Sequence, residues 1–389
     1  MLIEQQNDDI AGQNPLRASD TGHVLMRLVR QLERAGYREY YASFNPLITT
    51  SGGWLERLTQ APPHLRPIIE LFLLGRAVPE RDVTAIIDDV PALCELGILH
   101  RVRGDSLRTA GLALVPVFGL WIFNHSILTA NPTLYYGDDT LALLSRLAPR
   151  PRGSALDLCS GPGTQALFAS LYADRVTAVE VNPIAAALAT LNVAMNGRSE
   201  KVSIVCGDLY DAVGTSTYDL ICANPPLLPF PDALAYPFVG HGGADGLRVT
   251  RRILAVLPAH LSADGVGQII GCCLSDGILP LPAAELETWA RQRQLRVLMT
   301  VTSENPLARG SFFFEGLVST AASMGERSRG EIAAIFEDDL RRQGATHLCT
   351  YFLHVTRQKG GFVLQDLSRQ GRQEFWFASQ ADGSHAAPR

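Results

Sequence analysis

The sequence predicts an α/β protein: a mostly parallel, seven-stranded sheet wrapped by helices, preceded by a smaller and mainly helical domain. Three observations carry that prediction. Short apolar runs ending in an acid or a turn recur near residues 154–158, 176–180, 202–206 and 218–223. Stretches of helical length separate them, and strands that alternate with helices form parallel sheets. The chain up to residue 130 instead carries several helix-like stretches and few strand-like ones.

Composition narrows the function classes. At 389 residues the chain has room for two domains and the make-up of a globular protein. A net charge of −5 argues against an electrostatic hold on bulk nucleic acid or an anionic membrane. The seven cysteines form no Cys-x-x-Cys pair and no zinc-like spacing with histidine, so no metal is expected. They read as small buried hydrophobes in a reducing compartment. The start, residues 1–14, is polar and acidic, unlike a secretory signal. The longest apolar run, 111–123, is too short to span a bilayer and contains Pro116. The expected location is therefore the cytosol.

Taken in order, residues 1–18 lack apolar periodicity and are expected to be mobile. Val24, Leu25, Leu28, Val29 and Leu32 recur at helical spacing, which predicts an amphipathic helix over 22–35 that Gly36 ends. An aromatic loop, 37–54, contains Phe44-Asn45-Pro46. Helices are predicted at 65–74, 80–88 and 91–96 and strands at 98–102 and 107–114, a winged-helix-like order. Between Leu65 and Ala110 lie six arginines, no lysine and seven acids, and the would-be recognition helix offers Glu95 and no base. That is a poor phosphate-binding surface, so a substrate lid or structural cap is expected rather than a nucleic-acid reader. The predicted domains are 1–130, 131–377 and a disordered tail, 378–389.

The second domain opens with Tyr135-Tyr136-Gly137-Asp138-Asp139-Thr140, where either aspartate is placed to cap a helix over 140–147. Tyr135 and Tyr136 either pack in the core or present rings to a positive charge. Next comes Asp157-Leu158-Cys159-Ser160-Gly161-Pro162-Gly163, a strand end followed by a glycine turn and a helix start. Gly161 and Gly163 let a ligand lie against bare main chain at the positive end of a helix. Ala166 occupies the third glycine position of a dinucleotide-binding turn, which disfavours a plain NAD unit. Glu180, with Val181 beside it, ends the next strand, where nucleotide-binding α/β units place an acid on the ribose hydroxyls. Asp208 and Leu209 follow the third strand, where an acid accepts from an adenine amino group. The fourth strand ends in Asn224-Pro225-Pro226.

That order resembles the class I S-adenosylmethionine-dependent methyltransferases, and Asn-Pro-Pro resembles their amino- and amide-nitrogen-modifying branches. The resemblance spans residues 131–300 and implies a Rossmann-like fold. It implies that Asp157, Gly161 and Gly163 hold the amino-acid end of S-adenosylmethionine, Glu180 the ribose and Asp208 the adenine, with Ser160, Val181 and Leu209 alongside. It further implies that the Asn224 side-chain oxygen and the Pro225 carbonyl accept from the NH₂ that is modified. The segment at Asp139-Thr140 is similar to one that closes over the methionine end, which would set Tyr135 and Tyr136 beside the sulfonium. Gly242-Gly243-Ala244-Asp245-Gly246-Leu247 is similar to a step in the release-factor glutamine methyltransferases.

The chain departs from that pattern at Leu227, where the family has an aromatic residue that stacks on a planar amide or base. The expected substrate is therefore a small, flexible amine, and protein glutamine is the less favoured acceptor. An alternative follows from the same departure: the cofactor's own α-amino group attacks its γ-carbon, as in the azetidine-2-carboxylate synthases. A binding or regulatory role is the third reading. Strands at 266–273, 296–302 and 346–356 complete the expected sheet. Within the insertion at 303–326, Phe312, Phe313 and Phe314 read either as a flap or as core. Residues 360–377 read as a C-terminal hairpin.

Overall fold

The computed structural model describes residues 18–44, 51–125, 134–148, 150–368 and 373–378. The expectations for the start of the chain, for Asn45-Pro46 and for the tail lie outside the described residues. In chain order the helices and strands are α1 (Ala18–Ala35), α2 (Tyr37–Ala42), α3 (Ser51–Arg57), α4 (Arg66–Phe72), β1 (Val78–Pro79), α5 (Glu80–Thr84), α6 (Val90–Glu95), β2 (Leu99–Val102), β3 (Ser106–Thr109), β4 (Leu112–Val117) and β5 (Leu120–His125). There follow α7 (Asp138–Leu144), β6 (Ser154–Leu158), α8 (Thr164–Ala169), β7 (Arg175–Glu180), α9 (Pro183–Met195), β8 (Val202–Cys206), β9 (Tyr218–Ala223), α10 (Arg248–His260) and β10 (Leu261–Ser275). The chain ends with α11 (Ala283–Arg293), β11 (Arg296–Pro306), α12 (Phe312–Met324), α13 (Arg329–Gln343), β12 (His347–Thr356), β13 (Gly361–Asp366), β14 (Gln373–Glu374) and β15 (Phe377–Ala378).

The chain divides into two compact units. The first comprises Met1–Asp138, Gly161–Leu171 and Asn182–Ile204, and the second comprises Asp139–Ser160, Tyr172–Val181 and Val205–Arg389. In the first unit, α1 buries Leu25, Leu28 and Leu32 as its periodicity predicts, and it packs on α9. The small sheet has the order β1-β3-β2, beside the short helices α4 and α5. The strand expected over 107–114 is split between β3 and β4, and the run 111–123 is mostly the hairpin of β4 and β5. Its two turn residues, Phe118 and Gly119, both have positive φ, the geometry that suits a two-residue hairpin.

Asn192 on α9 and Asn196, the residue that ends it, hold that hairpin. Asn192 is fully buried; its Oδ1 accepts from the Phe123 amide at 2.8 Å, and its Nδ2 donates to the carbonyls of Phe123 at 3.0 Å and Pro162 at 2.9 Å. One turn later Asn196 accepts from the Trp121 amide at 2.9 Å and donates to its carbonyl at 2.7 Å. The helix thus satisfies the outer edge of β5, which would otherwise leave main-chain groups unpaired in the interior.

The second unit is built on a sheet of order β13-β11-β12-β10-β9-β6-β7-β8, in which β12 runs antiparallel to both neighbours. The last two residues of β8 belong to this unit. The sheet has eight strands rather than seven. Residues 361–366, expected in a terminal hairpin, instead add in parallel to β11, and Phe362 and Leu364 pack on the core there. Only the two-residue ladder of β14 and β15 remains of the hairpin. Leu156, Ile221, Ile269, Met299 and Tyr351 lie in the core of this unit.

The phenylalanine run divides three ways. Phe312 is exposed, Phe313 stacks on Phe375, and Phe314 is buried against Phe336, which itself stacks on Phe230. Part of the insertion is therefore core. At the other end of the sheet, Asp219 opens β9 and accepts from the Ser154 amide at 2.9 Å and the Ser262 hydroxyl at 2.8 Å. The Ser154 main-chain bond is the largest cause holding its carboxyl below the usual range.

Two predictions follow. Asn192→Ala should lower unfolding free energy by about 2–3 kcal/mol, because buried groups lose their partners. Asn182→Ala, which removes the cap on Ile184, should cost about 1 kcal/mol. Urea denaturation followed by circular dichroism decides, and equal costs would refute the clamp. For Asp219 the folded pKa is depressed, so its contribution is present above the unfolded pKa and is lost as pH falls through the folded value. Asp219→Asn should flatten the acid limb of the stability curve; an unchanged limb would remove Asp219 as a cause.

Candidate functional site

Parallel pairing sets where the loops begin. Leu158 lies level with Val179 on β7 and with Ala223 on β9, so three loops leave the sheet at the same edge. Main-chain bonds tie them there: the Ser160 amide donates to the Val179 carbonyl at 3.1 Å, and the Gly207 amide to the Glu180 carbonyl at 2.9 Å. Within the second unit this edge carries Asp157, Ser160, Glu180, Val181, Asp208, Leu209, Asn224 and Pro225. Ligands of open α/β sheets bind at such carboxyl ends.

The acids converge on Cys159. Burial is the main cause that raises its thiol pKa far above the ordinary value, and the charges of Glu180, Asp157 and Asp208 add to it while Arg252 opposes. Asp157 is buried and lies level with Cys222 in the register; the thiol of Cys222 is 3.6 Å from its Oδ1. Glu180 is nearly buried, whereas Val181 beside it is exposed. Asp208 is half exposed and pairs with Arg252 at 2.8 Å. Nothing local in the sequence marks Arg252, which stands 44 residues further on.

Two residues at this edge occupy the left-handed region without being glycine: Cys159 with φ 58° and Leu209 with φ 48°. Such conformations carry strain and concentrate where a loop must present main chain to a ligand. The Ser160 hydroxyl is buried and has no hydrogen-bond partner among the described residues. An orphaned hydroxyl at the edge that carries these carboxylates suits a ligand with several polar groups. The first unit holds the remaining residues of the expected set. Gly161 has φ 52° and Gly163 φ 83°, as the turn requires. There Tyr135 is exposed, while burial raises the phenol pKa of Tyr136, which lies beside Tyr41.

Asn224 follows directly on β9 and is only partly buried. Its Nδ2 donates to Asp139 Oδ2 at 3.1 Å, and Asp139 Oδ1 accepts from the Thr140 amide at 2.6 Å. The helix expected over 140–147 begins at Asp138 instead, so Asp139 lies within its first turn rather than capping it, and its carboxylate reaches the Asn-Pro-Pro motif. Leu227 is buried, and its main chain is enclosed by the glycine step that follows. A Cβ on Gly242 would stand 2.7 Å from the Leu227 carbonyl carbon, and one on Gly246 would stand 2.5 Å from the Cys272 carbonyl oxygen and 2.8 Å from that of Leu227. Asp245 accepts from the Leu247 amide at 3.1 Å and pairs with Arg251, which also binds Glu285. A cavity lined by Glu287, Arg291, Lys359 and Phe362 lies at the amino ends of β11 and β13, the opposite edge. Among the described residues no cluster of His, Cys, Asp and Glu could hold a metal, and no helix is long and apolar enough to cross a membrane.

Residues 137–270 match the family described as methyltransferase small domain. The ribosomal protein uL3 glutamine methyltransferase of Bordetella pertussis is 38% identical over 122 residues, which are 29% of this chain and 41% of that protein. The chain thus spans about two fifths of the length of such relatives. A Methanocaldococcus jannaschii protein, provisionally named protein N5-glutamine methyltransferase, is 30% identical over 154 residues, 38% of this chain and 77% of that one. Among solved structures, M. jannaschii TYW2 in complex with AdoMet has a TM-score of 0.37 and 11% identity, covering 63% of this chain and 86% of that chain.

The glycine step makes a further prediction. Gly246→Ala combines a φ of +86° with a main-chain collision, whereas Gly214→Ala has φ +61° and no atom within 4 Å. The second should cost about 1 kcal/mol and the first at least twice that. Thermal unfolding of both variants checks it, and a Gly246→Ala protein as stable as Gly214→Ala would show that Leu227 is not clamped.

Proposed function

For a chain that belongs to the class I S-adenosylmethionine-dependent methyltransferases, in their Asn-Pro-Pro branch, we propose transfer of the methyl group to an NH₂ nitrogen held by Asn224 and Pro225. The observation that carries this is the position of Asn224: partly exposed, at the carboxyl edge that also bears Asp157, Glu180 and Asp208. S-adenosylmethionine brings its own activation, a sulfonium whose leaving group is a neutral thioether. The chain's task is then to position rather than to activate.

In this reading Glu180 accepts from both ribose hydroxyls, and exposed Val181 gives the adenine an apolar face beside Leu209. Asp208 accepts from the adenine amino group, with Arg252 fixing its direction. Asp157 and Ser160 hold the amino-acid end. Asn224 Oδ1 and the Pro225 carbonyl each accept one N–H of the acceptor. That keeps the nitrogen lone pair in line with the methyl carbon and adds electron density as the bond forms.

The names of the relatives support the side-chain amide of a protein glutamine as acceptor. Leu227 supports a second reading, a small flexible amine, because it offers no ring to a flat amide. Cyclisation of the cofactor finds no support among the relatives reported above. One assay separates the three. The protein is incubated with methyl-labelled S-adenosylmethionine alone, with unmodified uL3, and with a set of small amines. Label on a glutamine of uL3 supports the first reading and label on an amine the second. Methylthioadenosine formed with no acceptor would overturn methyl transfer altogether.

On the acceptor that takes label, Asn224→Ala should lower turnover by about 10²–10³-fold, the usual cost of losing a positioned hydrogen-bond partner. Its affinity for the cofactor should stay within about twofold, since the cofactor keeps its other contacts. Glu180→Ala should weaken cofactor binding by about 10–100-fold in calorimetry, as the loss of charge-assisted hydrogen bonds predicts. Unchanged affinity would remove Glu180 from the site.

A further inference from the structure

We propose that Asp139 is a positioning residue: its carboxylate decides which end of the Asn224 amide faces the acceptor nitrogen. The functional consequence rests on the role proposed above for Asn224. An asparagine amide carries an oxygen and an NH₂ of nearly equal size, and a half-turn of the group exchanges them. Only the oxygen can accept from an acceptor's N–H. A site that relies on Asn224 Oδ1 therefore needs something to prevent the half-turn.

Asp139 supplies it. An ionised carboxylate only accepts, so the amide nitrogen is the end that can face it, and Asn224 Nδ2 does so at 3.1 Å. Asp139 is only 5% exposed, so little of its carboxylate faces bulk water. Its second oxygen is anchored by the Thr140 amide at 2.6 Å, in the first turn of α7, so the carboxylate cannot swing away. Reversing Asn224 would bring oxygen against oxygen at a buried position, where unpaired acceptors are costly. Because the bond is charge-assisted, it also draws density through the amide and makes Oδ1 a stronger acceptor. Asp139 touches Asn224, and it acts on the reaction only through it.

The full-length protein, labelled with ¹⁵N at asparagine side chains, allows a direct test. The Asn224 signal is the one missing from the spectrum of Asn224→Ala. Its NH₂ hydrogens should exchange with water about tenfold more slowly in the wild type than in Asp139→Asn, the factor expected of a charge-assisted bond. Asp139→Asn keeps an acceptor for the Thr140 amide but turns its own NH₂ toward position 224, which drives Asn224 to reverse. Asp139→Ala should show the same fast exchange. Equal exchange in wild type and Asp139→Asn would overturn the proposal. Calorimetry with S-adenosylmethionine accompanies it: affinity within about twofold of wild type in Asp139→Asn supports a positioning role. Lost affinity in that variant alone would overturn it, by making Asp139 a cofactor ligand. A wild type that fails to bind the cofactor would sink the functional reading, and the exchange rates would still decide the amide's orientation.

Discussion

The backbone ladders on the two sides of β6 hold Leu158 level with Val179 and Ala223, and every side chain at that edge depends on this register. A slip of one residue in either ladder would turn the strand's side chains to the opposite face. Asp157 would then leave its place beside Cys222, and Asn224 would begin its loop at another height. Parallel strands buried on both faces resist such slips, because each register step exchanges one complete set of packed side chains for another. The precision of the acids around Cys159 is therefore inherited from strand pairing rather than built by the loops.

The same logic, with different chemistry, operates in the first unit. There a helix rather than a strand satisfies the edge of β5, through the side chains of Asn192 and Asn196 spaced one turn apart. An asparagine amide offers one donor pair and one acceptor, as a peptide unit does, so it substitutes for a neighbouring strand without extending the sheet. The contact also reaches the Pro162 carbonyl, so one side chain serves both β5 and part of the glycine turn.

Much of this was legible in the sequence, for physical reasons. Buried parallel strands read as unbroken apolar runs, and acids at their ends stand out because charge is rare there. Asp157, Glu180 and Asp208 stand out in this way near their strand ends, and Asn224 through the Asn-Pro-Pro that follows its strand. What was not legible depends on distance along the chain. Asp139 lies 85 residues before Asn224, and Arg252 lies 44 residues after Asp208, so neither pair leaves a local pattern. The hairpin of β4 and β5 was missed because its turn is Phe-Gly, without the asparagine or aspartate that usually marks such turns. The strand 361–366 was misplaced because a half-buried edge strand and a hairpin arm share the same alternation.

Cys159 has a consequence of another kind. Oxidants and alkylating agents select the thiolate, and burial, with the acids that crowd this position, pushes the Cys159 thiol pKa up. The turn thus carries a cysteine without its usual chemical liability. Burial, with the neighbouring carboxylates, leaves this sulfur a poor target for alkylation.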